Sequence, residues 1–232
     1  MRVGVHGRAA IIAMLGASSA CVADPLPAIC PDIGVGELVI TEIRGQLADS
    51  VATSEGSDGV AAGSTDSSGD STSAMGSDAD RGRDWIEITN LTDRTLDLWG
   101  LAIRNTNSGG AGEVFMRVRY RRELDAHGVY VLGLSDDEMR PSFVDYGVGG
   151  DFSMNDSNLY DEGALTVQAC GVDIDIVRYL FLPTLGSWSL GVMPPDAAAN
   201  DDIEAWCEDP VLAVIDGREE PGTPGEANRP CD

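Results

Sequence analysis

Lysine is missing: all 15 basic residues of this 232-residue chain are arginines. That excludes Schiff-base chemistry and a phosphate-binding P-loop, both of which need a lysine amine. Histidine is nearly missing too, with only His6 and His127. His6 falls in a leader-like N-terminus, so His127 alone is left to act as a general base. It sits in an Ala-His-Gly turn with no G-x-S-x-G nucleophile motif elsewhere, which reads as a turn residue rather than one member of a Ser-His-Asp triad. No C-x-x-C pair is present, so a structural zinc site lacks its usual spacing. After residue 20 no apolar run approaches the roughly 18 residues that a spanning helix needs. Sustained 3.6-residue periodicity is absent as well, which argues against a helical fold.

Acid is what the chain has in quantity. Thirty-nine Asp and Glu against 15 Arg give a formal charge of −24. Such a surface is repelled by nucleic acid and by anionic membrane, so no nucleic-acid partner is expected. Loop acids at Asp136-Asp137-Glu138, Asp173 with Asp175, and Asp201-Asp202 are candidates for Ca²⁺, but a calcium site needs six to eight convergent oxygens and no EF-hand spacing occurs. No metal or other cofactor is therefore assigned.

The first 20 residues read as an export signal. Arg2 and Arg8 precede the apolar run AAIIAML at 9–15, followed by small residues and then Cys21. This arrangement resembles a bacterial lipobox, in which the cysteine becomes the lipidated first residue, although Ser18 stands where leucine is usual. The alternative is ordinary cleavage after Ala20 or Ala23. Five cysteines are an odd number for an exported chain. Lipidation of Cys21 leaves Cys30, Cys170, Cys207 and Cys231 for two disulfides in an oxidising compartment. Of the three pairings, Cys30–Cys231 and Cys170–Cys207 are expected. The first would tie the domain's ends together, and the second would tie a late strand to a C-terminal loop.

Residues 21–35, with Pro25, Pro27 and Pro31, form a tether to a domain spanning 36–231. Strand patterns occur at 37–43, 85–89, 95–98, 101–104, 114–120, 129–134, 164–170, 174–179 and 187–193, divided by turn signals. The stretch 46–83 is rich in Ser, Gly and Asp and contains no aromatic residue, so it is expected to be a long disordered loop insertion. Many short strands at this spacing predict an all-β sandwich or barrel. Within 85–89 the two-residue period puts Ile86 and Ile88 on one face and Trp85, Glu87 and Thr89 on the other. Glu87 is expected to meet an arginine or a turn amide. Asn90 and Asp93 fall where the chain turns, and both types can hydrogen-bond their own backbone there.

Five segments in order resemble the lamin-tail domain family: GELVITEI at 36–43, DWIEITN at 84–90, TLDLWGLAI at 95–103, LDAHGVYVL at 124–132 and PGTPGEAN at 221–228. The residues carrying the likeness are Trp85, Glu87, Asn90, Trp99, Gly100, Gly222, Pro224, Gly225 and Asn228. In one departure, Trp99 precedes the turn glycine, where the family usually has a tryptophan after it. The resemblance implies an immunoglobulin-like β-sandwich of the kind found in exported bacterial proteins, with no shared catalytic site. A non-catalytic binding or structural module is thus expected, lipid-anchored in the cell envelope at the outer membrane. Its expected partners are the membrane through the lipid, and an envelope protein or glycan. A soluble periplasmic or secreted form is the alternative location. The alternative function is an exported Ca²⁺-binding protein or hydrolase accessory using loop carboxylates. The cluster Arg117, Arg119 and Arg121 shares one face if the strand at 114–120 continues, giving either a patch for an anionic ligand or a solvated face paired with acids.

Overall fold

A computed structural model describes residues 29–45, 84–135, 137, 138, 140–147, 159, 160, 162–183, 186–215 and 217–231. The signal sequence, Cys21, most of the tether and the insertion at 46–83 lie outside the described residues. The described residues form an all-β sandwich, as the strand spacing predicts.

The first sheet places β1 (Leu38–Arg44) beside β2 (Trp85–Asn90). Beyond β2 come β7 (Val129–Gly133) and β8 (Tyr146–Gly147). Beyond β1 come β11 (Ser187–Leu190) and β12 (Trp206–Asp209). The second sheet runs β10 (Val172–Tyr179), β9 (Gly163–Ala169), β4 (Ala102–Asn107), β5 (Gly112–Arg117). Two small ladders complete the fold: β3 (Leu96–Asp97) with β6 (Glu123–Leu124), and β13 (Leu212–Ile215) with β14 (Arg218–Pro221). A short helix, α1 (Ala197–Asn200), is capped by Asp196, whose carboxylate accepts from the Ala198 and Ala199 amides at 2.9 Å each. Arg44 pairs with Trp85, so the chain leaves β1 and returns to β2 at adjacent positions on either side of the insertion.

The core lies between the sheets. Leu38, Ile40, Ile43, Ile86, Ile88 and Leu132 from the first sheet meet Ile103, Leu165, Val167, Ile174 and Val177 from the second. In β1 the apolar spacing slips from two residues to three between Ile40 and Ile43. A β-bulge at Thr41 accounts for it, because the register with β2 shifts between Ile40 and Glu42. The bulge keeps both isoleucines in the core and sends Glu42 outward, opposite Glu87. Every residue of β1 and β2 is buried, so the outer face of this sheet is covered as well. At one end of that face Trp85 packs with Val131 and Val144, and edge-on to Phe143 at 6.4 Å between ring centroids. Further along, the chain's last residues cover it.

The disulfides are Cys30–Cys170 and Cys207–Cys231, which corrects the expected pairing of Cys30 with Cys231 and Cys170 with Cys207. The physical reason is the path of the C-terminal tail. It crosses the outer face of the first sheet and ends against Gly191 and Ala205, beside Cys207 on β12. Cys30 lies elsewhere, at the tip of the β9–β10 hairpin. There Cys170 and Gly171 both have positive φ, at 50° and 78°, as a two-residue hairpin loop requires. Two disulfides indicate an oxidising environment, extracellular or periplasmic. Among the described residues no helix is long and apolar enough to cross a membrane.

Candidate functional site

Glu87 is the carboxylate that most resembles a reactive group, and its surroundings decide what it does. It lies on the outer face of β2 directly across from Glu42, and both are essentially without solvent exposure. Two carboxylates facing each other across a ladder repel if both are charged. Burial, and then the charge of Glu42, push the Glu87 carboxyl well above the usual carboxylate range. Burial also raises Glu42, against hydrogen bonds from Ser187, Ser189 and the Thr223 amide.

The lid over this pair is the segment 221–228. Gly225 N–H donates to Glu87 Oε2 at 2.9 Å, and the Thr41 hydroxyl donates to Glu87 Oε1 at 2.8 Å. Thr223 N–H donates to Glu42 Oε1 at 3.1 Å and its hydroxyl to Oε2 at 3.3 Å, while Ser187 Oγ also donates to Glu42. Asn228 Nδ2 donates to the Thr41 carbonyl at 2.6 Å and the Leu190 carbonyl at 3.2 Å. Gly222 has φ of +90°, and a Cβ there would collide with Glu42 Oε1 and Ser187 Oγ. Glu87 thus has a turn amide as its partner, one of the two kinds expected for it. Glu87 belongs to one latch with Gly222, Gly225 and Asn228, which lie more than 130 positions further along the chain.

Asn90 is the second hub. Its Nδ2 donates to the carbonyls of Arg94 at 2.7 Å, Leu124 at 3.3 Å and Asp125 at 2.9 Å. Its Oδ1 accepts from the Thr92 amide and hydroxyl at 2.9 and 2.7 Å. The side chain is fully buried and joins the end of β2 to the β6–β7 connection. Asn90 starts an N-x-T sequon, but a glycan on Nδ2 would have to displace all three carbonyls. Asn90→Ala strips partners from several inward-facing backbone groups. We expect it to lower unfolding free energy by about 3 kcal/mol, measured by urea titration.

The remaining candidates are dispersed. Trp99 is 38 % exposed, while Leu101 after the turn is fully buried and occupies core space. Gly100, with φ of +92°, lets the Ile29 carbonyl approach to where a Cβ would stand. The arginine cluster does not form a single strand face, because β5 ends at Arg117. Buried Tyr146 holds the bend beyond it. Its hydroxyl donates to the Arg117 carbonyl and accepts from the Arg119 amide, both at 3.1 Å. Arg121 is drawn away to Asp97 at 2.9 Å, and Arg117 reaches the Gly100 carbonyl at 3.4 Å. His127 occupies a left-handed turn position with φ of 56°, and its Nε2 lies 2.8 Å from Asp93 Oδ1.

The loop acids have local partners. Asp137 pairs with Arg140 at 2.5 Å, Asp173 accepts from Gln168 Nε2 at 2.6 Å, and Asp202 accepts from the Glu204 amide at 3.0 Å. Among the described residues no three His, Cys, Asp or Glu side chains gather so as to hold a metal. Asp175 is buried and accepts from the Ile40 amide at 2.9 Å. Burial raises its carboxyl to about 6. Burial outweighs the nearby Arg44 charge at Asp84 and raises it to about 7. Acids whose folded pKa lies above the ordinary 3.8 bind protons more tightly when folded. Their contribution is complete below that value and is lost as pH rises through about 6 and about 7. The melting temperature is therefore expected to be higher at pH 5 than at pH 8, as calorimetry would read. A flat profile over that range would count against protonated Asp84 and Asp175.

A cleft of about 370 Å³ opens between the β10 edge and the turn after α1, lined by Ile176, Arg178, Asn200, Asp201, Asp202, Ile203 and Trp206. Of its lining only Asp201-Asp202 stands out in the sequence, as loop acids; the other residues are scattered over 31 positions and form no motif. Comparison with family models finds no match, and comparisons with curated proteins and with solved structures find none at a significant level either.

Proposed function

We propose that this chain is a non-catalytic, lamin-tail-like module of the bacterial cell envelope, carried at the membrane by lipid on Cys21. The single observation that carries the reading is the fate of Glu87. The carboxylate pair that would be the natural acid–base centre of an enzyme is shut beneath the tail, and its oxygens are engaged by backbone amides and hydroxyls. A general acid or base must reach a substrate proton, and this pair reaches only its own fold. The interlock of β1, β2 and the PGTPGEAN tail also gives a physical reason why those segments carry the family likeness. Each supplies one side of the same latch.

On this reading the Pro-containing tether holds the sandwich off the bilayer. Contacts with an envelope protein or glycan are left to its loops and strand edges. Several acyl chains on one cysteine suffice for stable anchoring where a single chain does not. Cys21→Ser is expected to move the protein from the membrane pellet to the soluble fraction on cell fractionation. Unchanged retention in the pellet would overturn the anchor.

A further inference from the structure

The cleft beside β10 is lined by charges of both signs and by apolar side chains. One wall is the β10 edge, with half-buried Ile176 and exposed Arg178, and Arg178 has no ion pair among the described residues. The other wall is the turn that follows α1, carrying Asp201, Asp202 and Ile203, which is 44 % exposed. Opposite charges thus line opposing walls without having paired. The acid-bearing wall is braced. Trp206 Nε1 donates to the Asn200 carbonyl at 3.0 Å, Asp202 caps the Glu204 amide, and Asn200 Nδ2 donates to the Ile40 carbonyl at 2.5 Å. Such bracing lowers the ordering cost of binding.

Asn200 stiffens the same wall from within: it is 2 % exposed, and its side chain is engaged with the Ile40 carbonyl and with Asp175.

We infer that this cleft binds a small zwitterion, an amino acid or short peptide with a free ammonium, a free carboxylate and an aliphatic side chain. The guanidinium of Arg178 suits the carboxylate, because its donors form a planar fork. An ammonium carries three donors and no acceptor, which matches the exposed carboxylates on the other side, Asp201 and Asp202. Ile176, Ile203 and Trp206 provide apolar surface for the side chain. The volume falls at the lower end of the range for small-molecule pockets and is suited to one or two residues. This inference does not depend on the lipid anchor or on the family likeness.

The test is calorimetric titration of the purified, disulfide-intact protein with the dipeptide Leu-Leu. Its N-acetyl and C-amide derivatives and a neutral disaccharide serve as comparators. The dipeptide is expected to bind, and blocking either terminus is expected to weaken it about tenfold or more. Arg178→Met and Asp201→Asn should each do the same while leaving the melting temperature unchanged, because both side chains are exposed. The inference is overturned if millimolar dipeptide gives no heat or if neither variant alters its affinity. Disaccharide binding in place of the dipeptide would also overturn it.

Discussion

Replacing the Cys30–Cys170 disulfide by Cys30→Ala/Cys170→Ala is expected to lower unfolding free energy by about 5 kcal/mol. The bond closes a loop with a sequence separation of 140, with Cα atoms 5.3 Å apart. In the chain-entropy model the cost removed from the unfolded state grows with the logarithm of loop length. The Cys207–Cys231 bond spans a separation of only 24 and should contribute about 3.5 kcal/mol on the same basis. The order of the two effects is the sharper forecast. Guanidinium titrations of the two double variants would establish it, and a larger loss on removing Cys207–Cys231 would contradict the loop-length account. A net stability of roughly 5–15 kcal/mol is usual for a domain, so losing the longer cross-link brings this one close to unfolding.

Glu87→Ala and Glu87→Gln are expected to differ widely. Alanine leaves the Gly225 amide and the Thr41 hydroxyl without their acceptor and opens a void on the covered face. The expected loss is about 3 kcal/mol. Glutamine keeps the volume. Its carbonyl can take the Gly225 amide, while its NH₂ donates to Thr41 Oγ1, which is then free to donate to Thr89 Oγ1, 3.0 Å away. Its cost near neutrality should be less than about 1 kcal/mol. The sign of the pH dependence provides a second readout. The folded pKa of Glu87 is raised, so its proton-linked stabilisation is present below the ordinary 4.5 and is lost as pH climbs through the folded value. Glutamine cannot ionise. Its stability relative to the native glutamate should therefore improve steadily from acid to alkaline pH, and a constant difference would show that Glu87 is not held protonated. Hydrogen exchange at the Gly225 amide should remain slow in the glutamine variant and become fast in the alanine variant.

The strand pattern was largely legible. Ile86 and Ile88 against Trp85, Glu87 and Thr89 obey strict alternation, and the faces fall as that period dictates. Alternation alone failed at β1, where it would put Glu42 in the core with Leu38 and Ile40. The bulge at Thr41 that prevents this is a property of the pairing with β2, and a single strand read by itself contains no record of its register. The C-terminal elements were less visible for a similar reason. Cys207 lies in β12 because Ser189 of β11 pairs with it, and its neighbours Glu208 and Asp209 disguise the strand. The single strand face expected of Arg117, Arg119 and Arg121 is not formed, because the ladder stops at Arg117 although Val118 continues the apolar alternation; the pairing with acids expected there is met at Arg121 by Asp97. Partners at long range were the least accessible. Glu87 with Gly225 and Asn228 with Thr41 are meetings of 138 and 187 positions' separation, and local chemistry could specify only the kind of group required.

The latch also orders events in time. A chain is synthesised from its N-terminus, so β1 and β2, with both facing acids, exist long before residues 223–228 have been made. Until then the part of their sheet's outer face around Thr41, Glu42 and Glu87 has no cover, and these side chains are open to water and to one another. Closure over the acid pair therefore waits for a segment made 138 positions after Glu87, long after the strands that carry the pair.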